Sequence, residues 1–199
     1  QDKWIAGARL LFLCSPNNPT GSTLDPAILQ SILNEAQGIV VVDEAYQDFA
    51  DTPSALHLLD TYPNLVVLRT FSKSWGCAGI RFGMAFADER IINWMNTVSA
   101  PYNISTLTIE AARAQLASKA TVMQRIDTLK KAREGLASEL DKLESTEKVF
   151  PSQANFLLVR FTNAQQVYNH LTEQGIIVRD RSHLPGCERC LRITVGTEE

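Results

Sequence analysis

The sequence predicts an α/β fold: a mostly parallel sheet with helices on both faces, followed by a smaller α+β domain. Three observations predict it. Short apolar runs rich in β-branched residues recur at Leu10–Cys14, Ile39–Val42 and Leu65–Arg69. A helix with one apolar stripe is expected between the first two. A long helical stretch then separates these runs from a second set of strands after Pro151. Strands alternating with helices build parallel sheets, whereas strands and helices in separate runs build α+β units.

Length and composition permit this. The chain has 199 residues, 45% hydrophobic and 21% charged, enough to bury the core of one domain or a domain and a half. That apolar content excludes disorder, and 10 Gly with 8 Pro exclude a collagen-like or low-complexity chain. A net charge of −3 leaves no basic surplus to grip nucleic acid. No apolar run approaches the roughly 20 residues that span a bilayer, so a membrane partner is not expected either. Four cysteines are too few for a disulfide scaffold, and a reducing cytoplasm is the expected location.

Both ends read as interruptions. The chain opens Gln1-Asp2-Lys3-Trp4, with neither Met nor a signal-peptide pattern. At the other end, Gly196-Thr197-Glu198-Glu199 is a helix start, with Thr197 as N-cap and acids in the first turn. The helix it announces does not follow. The sequence is therefore expected to be a piece of a longer chain.

The elements follow in order. Leu10–Cys14 reads as a buried strand running into the turn formers Ser15-Pro16-Asn17-Asn18-Pro19-Thr20-Gly21. Asp25 and Pro26 open a helix as N-cap and first helical residue; Ile28, Leu29, Ile32 and Leu33 form its stripe, and Gly38 ends it. Ile39–Val42 is continuous and β-branched, as a central parallel strand should be, and stops at Asp43-Glu44-Ala45-Tyr46. Leu65–Arg69 stops at Thr70-Phe71-Ser72-Lys73, and a strand is expected from Arg81 to Ala87. Two helices are expected between Ser105 and Leu143, with a break near Ser118. Asn155–Phe161 reads as a strand, Ala164–Gln174 as a helix closed by Gly175, and Ile176–Arg179 and Leu191–Val195 as strands. The expected division is residues 1–100 as part of a large domain, 101–145 as connecting helices and 146–199 as a small domain.

In α/β sheets ligands bind beyond the carboxyl ends of the strands. Three such ends carry Asn18, Asp43 and Lys73, distant in sequence but expected side by side. Asp43 alone is equally explained as a cap for the next segment. Lys73 on a second strand end is not, because a buried lysine loses hydration, its pKa falls, and it becomes a nucleophile and Schiff-base former. The alternative for Lys73 is an ordinary surface lysine. Its neighbours Thr70, Ser72, Ser74, Gly76 and Gly79 suit close approach of a phosphate, and Arg81 suits bidentate phosphate contact. A cofactor bearing an aldehyde, a phosphate and a ring nitrogen would use all of these groups, and pyridoxal phosphate fits.

Asn18-Pro19-Thr20-Gly21, Asp43-Glu44-Ala45-Tyr46, Ser72-Lys73 with Arg81, and Leu191-Arg192-Ile193, in this order and spacing, resemble the fold-type I aminotransferases. Cys14–Gly21 and Leu191–Thr197 look most like the histidinol-phosphate branch of that family. The resemblance implies pyridoxal phosphate as cofactor, a PLP-dependent transferase fold of type I, a homodimer, and small-molecule amino donors and keto acids as substrates. It implies that Lys73 carries the cofactor aldehyde and then shuttles a proton, and that Asp43 holds the pyridine nitrogen protonated. Tyr46 and Asn18 would bond the ring oxygen, Ser72 and Arg81 the phosphate with Thr70 assisting, and Arg192 the donor carboxylate. Arg179 would bind a substrate phosphate, its alternative being a solvated charge cluster with Asp180 and Arg181, and Asn155 would lie near the substrate. Pro101-Tyr102-Asn103 would lie at the dimer interface; a tyrosine buried in a helix junction is the alternative.

The family's upstream half, which supplies a phosphate-binding glycine loop, a ring-stacking aromatic and a partner tyrosine, is outside this sequence, so this piece alone is not expected to catalyse. No metal site is expected: Cys187 and Cys190 lack a second pair of ligands. Other reactions on the same scaffold remain open, namely aromatic transamination or decarboxylation of an amino-acid phosphate. A non-catalytic cofactor-binding regulator domain also remains open.

Overall fold

The computed structural model describes residues 7–196; the helix start expected at Thr197 lies outside them. Two four-stranded sheets organise the chain. The first holds β1 (Leu10–Cys14), β2 (Ile39–Asp43), β3 (Leu65–Thr70) and β4 (Gly83–Ala87) in that order. β1, β2 and β3 run parallel, and β4 is antiparallel to β3. The strand expected from Arg81 therefore starts at Gly83, because Arg81 itself is left-handed (φ 53°) and ends a 3-10 turn at Ala78–Ile80. An antiparallel return suits a short loop, whereas a parallel one needs a long crossover.

Along each strand successive side chains point to opposite faces of this sheet. On one face Leu11, Val40, Val42, Leu65 and Val67 pack against Leu29 and Leu33 of α1 (Pro26–Glu35). The expected cap forms: Asp25 Oδ1 accepts from Ala27 N at 2.7 Å, with Pro26 first in the helix. Ile28, expected in the stripe, is exposed instead, since the helix turns it away from the sheet. The helix ends at Glu35. Gly38 serves a different purpose, because a Cβ there would sit 2.3 Å from the Arg9 carbonyl oxygen. On the other face Val41 and Val66 pack against Ile91 of α2 (Glu89–Val98). That helix does not reach β1, an edge strand, so Leu10 is 51% and Phe12 62% exposed. Among the described residues only the Leu11 face of β1 is covered.

α3 (Thr106–Ala117), capped by Ser105, and α4 (Lys119–Asp141) are the two expected helices, with the break at Ser118. Tyr102 has φ 60° and is 99% exposed, which removes the reading of it as a packed helix junction. The second sheet contains β5 (Thr146–Val149), β6 (Phe156–Phe161), β7 (Arg179–Asp180) and β8 (Cys190–Thr194), in the order β5-β6-β8-β7. α5 (Ala164–Glu173) packs on it, and Gly175, at φ +75°, follows that helix as expected. β5 was not anticipated: it is short, and Thr146, Glu147 and Lys148 leave Val149 as its one apolar residue. The strand expected at Ile176–Arg179 shrinks to Arg179–Asp180, with Ile176 and Ile177 exposed, because pairing with β8 begins only at Arg179.

The two sheets meet at the Asn17–Gly21 loop. Gln153 N donates to the Gly21 carbonyl at 2.7 Å, and Asp51 N donates to Gln153 Oε1 at 2.8 Å. Gly21 sits at φ +73°, and a Cβ there would lie 2.1 Å from Ser152 Oγ and 2.9 Å from Ser152 Cα. Gly21→Ala should therefore destabilise the protein by on the order of 1–3 kcal/mol through backbone strain alone. Urea denaturation measures this, and an unchanged midpoint would show that the loop shifts aside freely.

Candidate functional site

The carboxyl ends of the three parallel strands are locked in line. Ser15 N donates to the Asp43 carbonyl at 3.0 Å, and Glu44 N donates to the Leu68 carbonyl at 2.9 Å. Asp43 faces Cys14 across the β1–β2 pair. The Cys14 thiol is pushed up, by desolvation first and by the neighbouring Asp43 carboxylate second. Asp43 Oδ1 accepts from Ala45 N at 3.0 Å, the local capping contact. Its Oδ2 has no hydrogen bond among the described residues, so the cap leaves one oxygen for a ligand.

Tyr46 follows on the same strand end and is 9% exposed. Its ring meets Phe156 edge-on, with centroids 5.1 Å apart. Lys73 Nζ lies 5.4 Å from the Tyr46 centroid, and the Arg192 guanidinium lies 5.1 Å from that of Phe156. Arg192 Nη1 donates to Asn18 Oδ1 at 2.8 Å. Lys73, Tyr46, Arg192 and Asn18 are thus joined by contact, across both sheets. Lys73 is exposed, contrary to the expectation of a buried amine, although its Nζ stands near the Tyr46 ring. It does not pair with a carboxylate among the described residues.

The other expected residues divide. Thr70 Oγ1 is engaged locally: it accepts from Ser72 N at 3.0 Å and lies 3.0 Å from Ser72 Oγ and 3.2 Å from the Phe82 carbonyl. Arg81 is exposed, with Nη1 donating to the Ala78 carbonyl at 3.0 Å. Asn155 uses its carbonyl to accept from Val195 N at 2.9 Å; its side chain makes no hydrogen bond among the described residues. Arg179 pairs with Arg192 in the β7–β8 register.

Arg192 is held below the usual guanidinium range. Desolvation is the first cause, and the charges of Arg181 and Arg179 add repulsion, while Tyr46 acts in the opposite sense. Its Nε is buried without a partner. A guanidinium stays protonated even so. None of Arg179, Arg181 and Arg192 has a carboxylate partner among the described residues. Three guanidiniums with a buried open donor and no close carboxylate pair among the described residues suit an anionic ligand.

Sequence reasoning passes over three residues of this region. Phe156 links Tyr46 to Arg192 but reads as one apolar strand residue among several. Arg181 lies within a charged run. Asp48 accepts from Ser74 Oγ and, at 3.1 Å, from Trp75 Nε1, the two residues after Lys73; nothing in local spacing announces that contact. Among the described residues no group of three or more His, Cys, Asp or Glu side chains converges, and all four cysteines are free thiols.

The donor set fits pyridoxal phosphate: an unpaired amine, a carboxylate with a free oxygen, a phenol, and hydroxyls beside an exposed arginine. Its chemistry also agrees with known proteins. The chain is 50% identical over 189 residues to a histidinol-phosphate aminotransferase of Bacteroides thetaiotaomicron, covering 95% of this chain and 55% of that protein. It thus spans about half the length of the curated relatives it matches. The structure superposes on histidinol-phosphate aminotransferase from Sinorhizobium meliloti in complex with pyridoxal-5'-phosphate with a TM-score of 0.85 and 25% identity, over 96% of this chain and 54% of that one. For L-threonine-O-3-phosphate decarboxylase from Porphyromonas gingivalis the TM-score is 0.83 and the identity 27%, over 95% and 60%. The model of the family described as aminotransferase class I and II matches residues 3–199. With that family's pattern running through both sheets, the chain belongs to the class I and II aminotransferases.

Proposed function

We propose that the protein transfers an amino group between histidinol phosphate and 2-oxoglutarate, using pyridoxal phosphate and giving imidazole acetol phosphate and glutamate. The observation that carries this is the cluster of Arg179, Arg181 and Arg192, three charges in no salt bridge among the described residues, with Arg192 held against Asn18. A substrate bearing a phosphate, paired with a donor bearing two carboxylates, needs such a cluster. The name of the 50% identical relative supports the same substrate.

When bound, the cofactor supplies an aldehyde and an electron-withdrawing ring. Lys73 Nζ would hold the aldehyde and then move a proton at the substrate α-carbon. Asp43 Oδ2 would keep the ring nitrogen protonated. The Tyr46 hydroxyl and the Asn18 amide would bond the ring oxygen. Ser72 and Arg81, with Thr70 assisting, would hold the phosphate. Arg192 would take the substrate carboxylate, releasing Asn18 Oδ1 to other donors, and Asn155 would lie near the substrate. The reading takes the working form to be a homodimer in the cytoplasm, with the exposed Trp94, Val98, Tyr102 and Leu107 as the surface to cover. Among the described residues no helix is long and apolar enough to cross a membrane.

Decarboxylation of an amino-acid phosphate is the second reading, favoured by the 27% identical decarboxylase structure. Product analysis of the full-length protein separates the two: glutamate from 2-oxoglutarate supports transamination, and carbon dioxide release without it overturns it. Arg179→Ala then tests the phosphate. Losing a charge-assisted contact of about 2–4 kcal/mol should lower kcat/KM on histidinol phosphate by roughly 30- to 1,000-fold. Phenylalanine should be affected far less. Equal losses on both substrates would make Arg179 structural and return the substrate to the broader class.

A further inference from the structure

The loop bearing Lys73 is tied to the turn bearing Tyr46 through one carboxylate. Asp48 lies two residues after Tyr46, in the 3-10 turn Gln47–Phe49. Its Oδ2 accepts from the Ser74 hydroxyl and from Trp75 Nε1 at 3.1 Å, and its Oδ1 accepts from Arg69 Nη2. Arg69 Nη1 in turn reaches Glu44 Oε2 at 3.1 Å. Glu44 is 3% exposed and is satisfied further by Ser54 Oγ and Ala55 N, both at 2.6 Å. The chain of contacts therefore runs from the Asp43–Tyr46 strand end, through Arg69 on β3, to the two residues that follow Lys73.

The other side of the loop is fixed separately. Phe71 N donates to the Phe82 carbonyl at 3.1 Å, and the Phe71 ring packs on Trp75 and Phe82 with centroids 5.1 and 5.2 Å away. Trp75 is thus held by its face and by its N–H. Lys73 itself is exposed and has four rotatable side-chain bonds, so the protein can set its reach only through its backbone.

We propose that Asp48 is a positioning residue for Lys73. By clamping Ser74 and Trp75 it sets where the Lys73 backbone stands relative to Asp43 and Tyr46, and so where Nζ is delivered. A carboxylate is needed, because two acceptor oxygens and no donor must serve three donors. An amide of the same size turns an N–H₂ toward at least one of them. The inference rests on the reading of Lys73 as the lysine that holds the cofactor.

The test compares Asp48→Asn and Asp48→Glu in the full-length protein. In the cofactor-free protein, hydrogen exchange in peptides covering 71–77 should speed up in Asp48→Asn, with β2 and β3 unchanged. In the loaded protein, the pH at which the visible band titrates should shift, because the lysine's surroundings change. The value of kcat should fall on the order of 10- to 100-fold, the effect of misplacing a reacting group by about 1 Å, with KM for the amino donor within about twofold. Asp48→Glu keeps the charge and both acceptors and should recover part of the titration and of kcat. Should Asp48→Asn fail to fold, Ser74→Ala removes one donor and should shift the titration in the same direction.

Exchange and titration unchanged in Asp48→Asn would overturn the proposal. So would loss of protection throughout the first sheet with no recovery in Asp48→Glu, the mark of an ion pair that only stabilises. Borohydride labelling of the parent protein separates the two levels. A label on a lysine other than Lys73 overturns the underlying reading, whereas a label on Lys73 with an indifferent Asp48→Asn overturns this inference alone.

Discussion

Lys73→Ala should leave a protein that still takes up pyridoxal phosphate but does not transaminate. The phosphate contacts expected from Ser72 and Arg81 do not pass through Lys73, so reversible binding should survive. The amine is a different matter. Among the described residues it is the lysine placed over Tyr46, and no carboxylate of theirs pairs with it. On the proposed reading, removing it would take away both the covalent hold on the aldehyde and the base that moves the α-proton. General acid–base catalysis alone contributes about 10²–10⁴-fold, so turnover should fall at least that far. Borohydride reduction of the loaded parent protein should fix the cofactor on Lys73, read by peptide mapping. A label on another lysine, or an Ala variant with parental turnover, would remove Lys73 from the site and with it the meaning given to the strand ends.

What could be read in advance follows from how far each signal reaches along the chain. The parallel strands were legible because β2 and β3 hold continuous apolar runs rich in β-branched residues, covered by α1 on one face and α2 on the other. Their carboxyl ends were legible for the same reason, since polarity returns abruptly at Asp43 and after Leu68. The exposure of Leu10 and Phe12 was not, because an edge strand and a central one share a composition. Nor was the antiparallel direction of β4, which depends on the left-handed Arg81 and the turn before it. Within the site, Asn18, Asp43, Tyr46, Lys73 and Arg192 stand in local motifs. The joints between them do not. Arg192 and Asn18 are 174 residues apart, and Asp48 meets Ser74 and Trp75 at separations of 26 and 27, distances over which no periodicity carries information. The burial expected of Lys73 failed for a related reason: a residue type and its small neighbours indicate a ligand, but not what covers the amine before the ligand arrives.

Asp43→Ala should lower kcat much more than cofactor affinity. Asp43 has two possible functions in the structure, and they use different oxygens. Oδ1 caps the following turn through Ala45 N at 3.0 Å, and this contact helps shape the strand end whether or not a cofactor is bound. Oδ2 is free among the described residues, and facing a pyridinium it would stabilise positive charge on the ring nitrogen. The bound cofactor would supply an electron-withdrawing ring, and Asp43 would strengthen that withdrawal more in the transition state than in the bound ground state. An interaction of this kind appears in kcat rather than in binding. Removing one preorganised electrostatic partner costs on the order of 10²–10³-fold in kcat. Cofactor affinity should fall by about one order of magnitude, the worth of a single hydrogen bond to a charged group. The capping loss is separable: it lowers stability by the roughly 1 kcal/mol typical of a lost cap, read as a lower denaturation midpoint, and leaves the chemistry untouched. Titration of the apoprotein with pyridoxal phosphate, single-turnover rates and a denaturation curve on the same variant distinguish the two. A variant that is less stable but transaminates at the parental rate would leave Asp43 as a cap and move the electron-withdrawing partner elsewhere in the site.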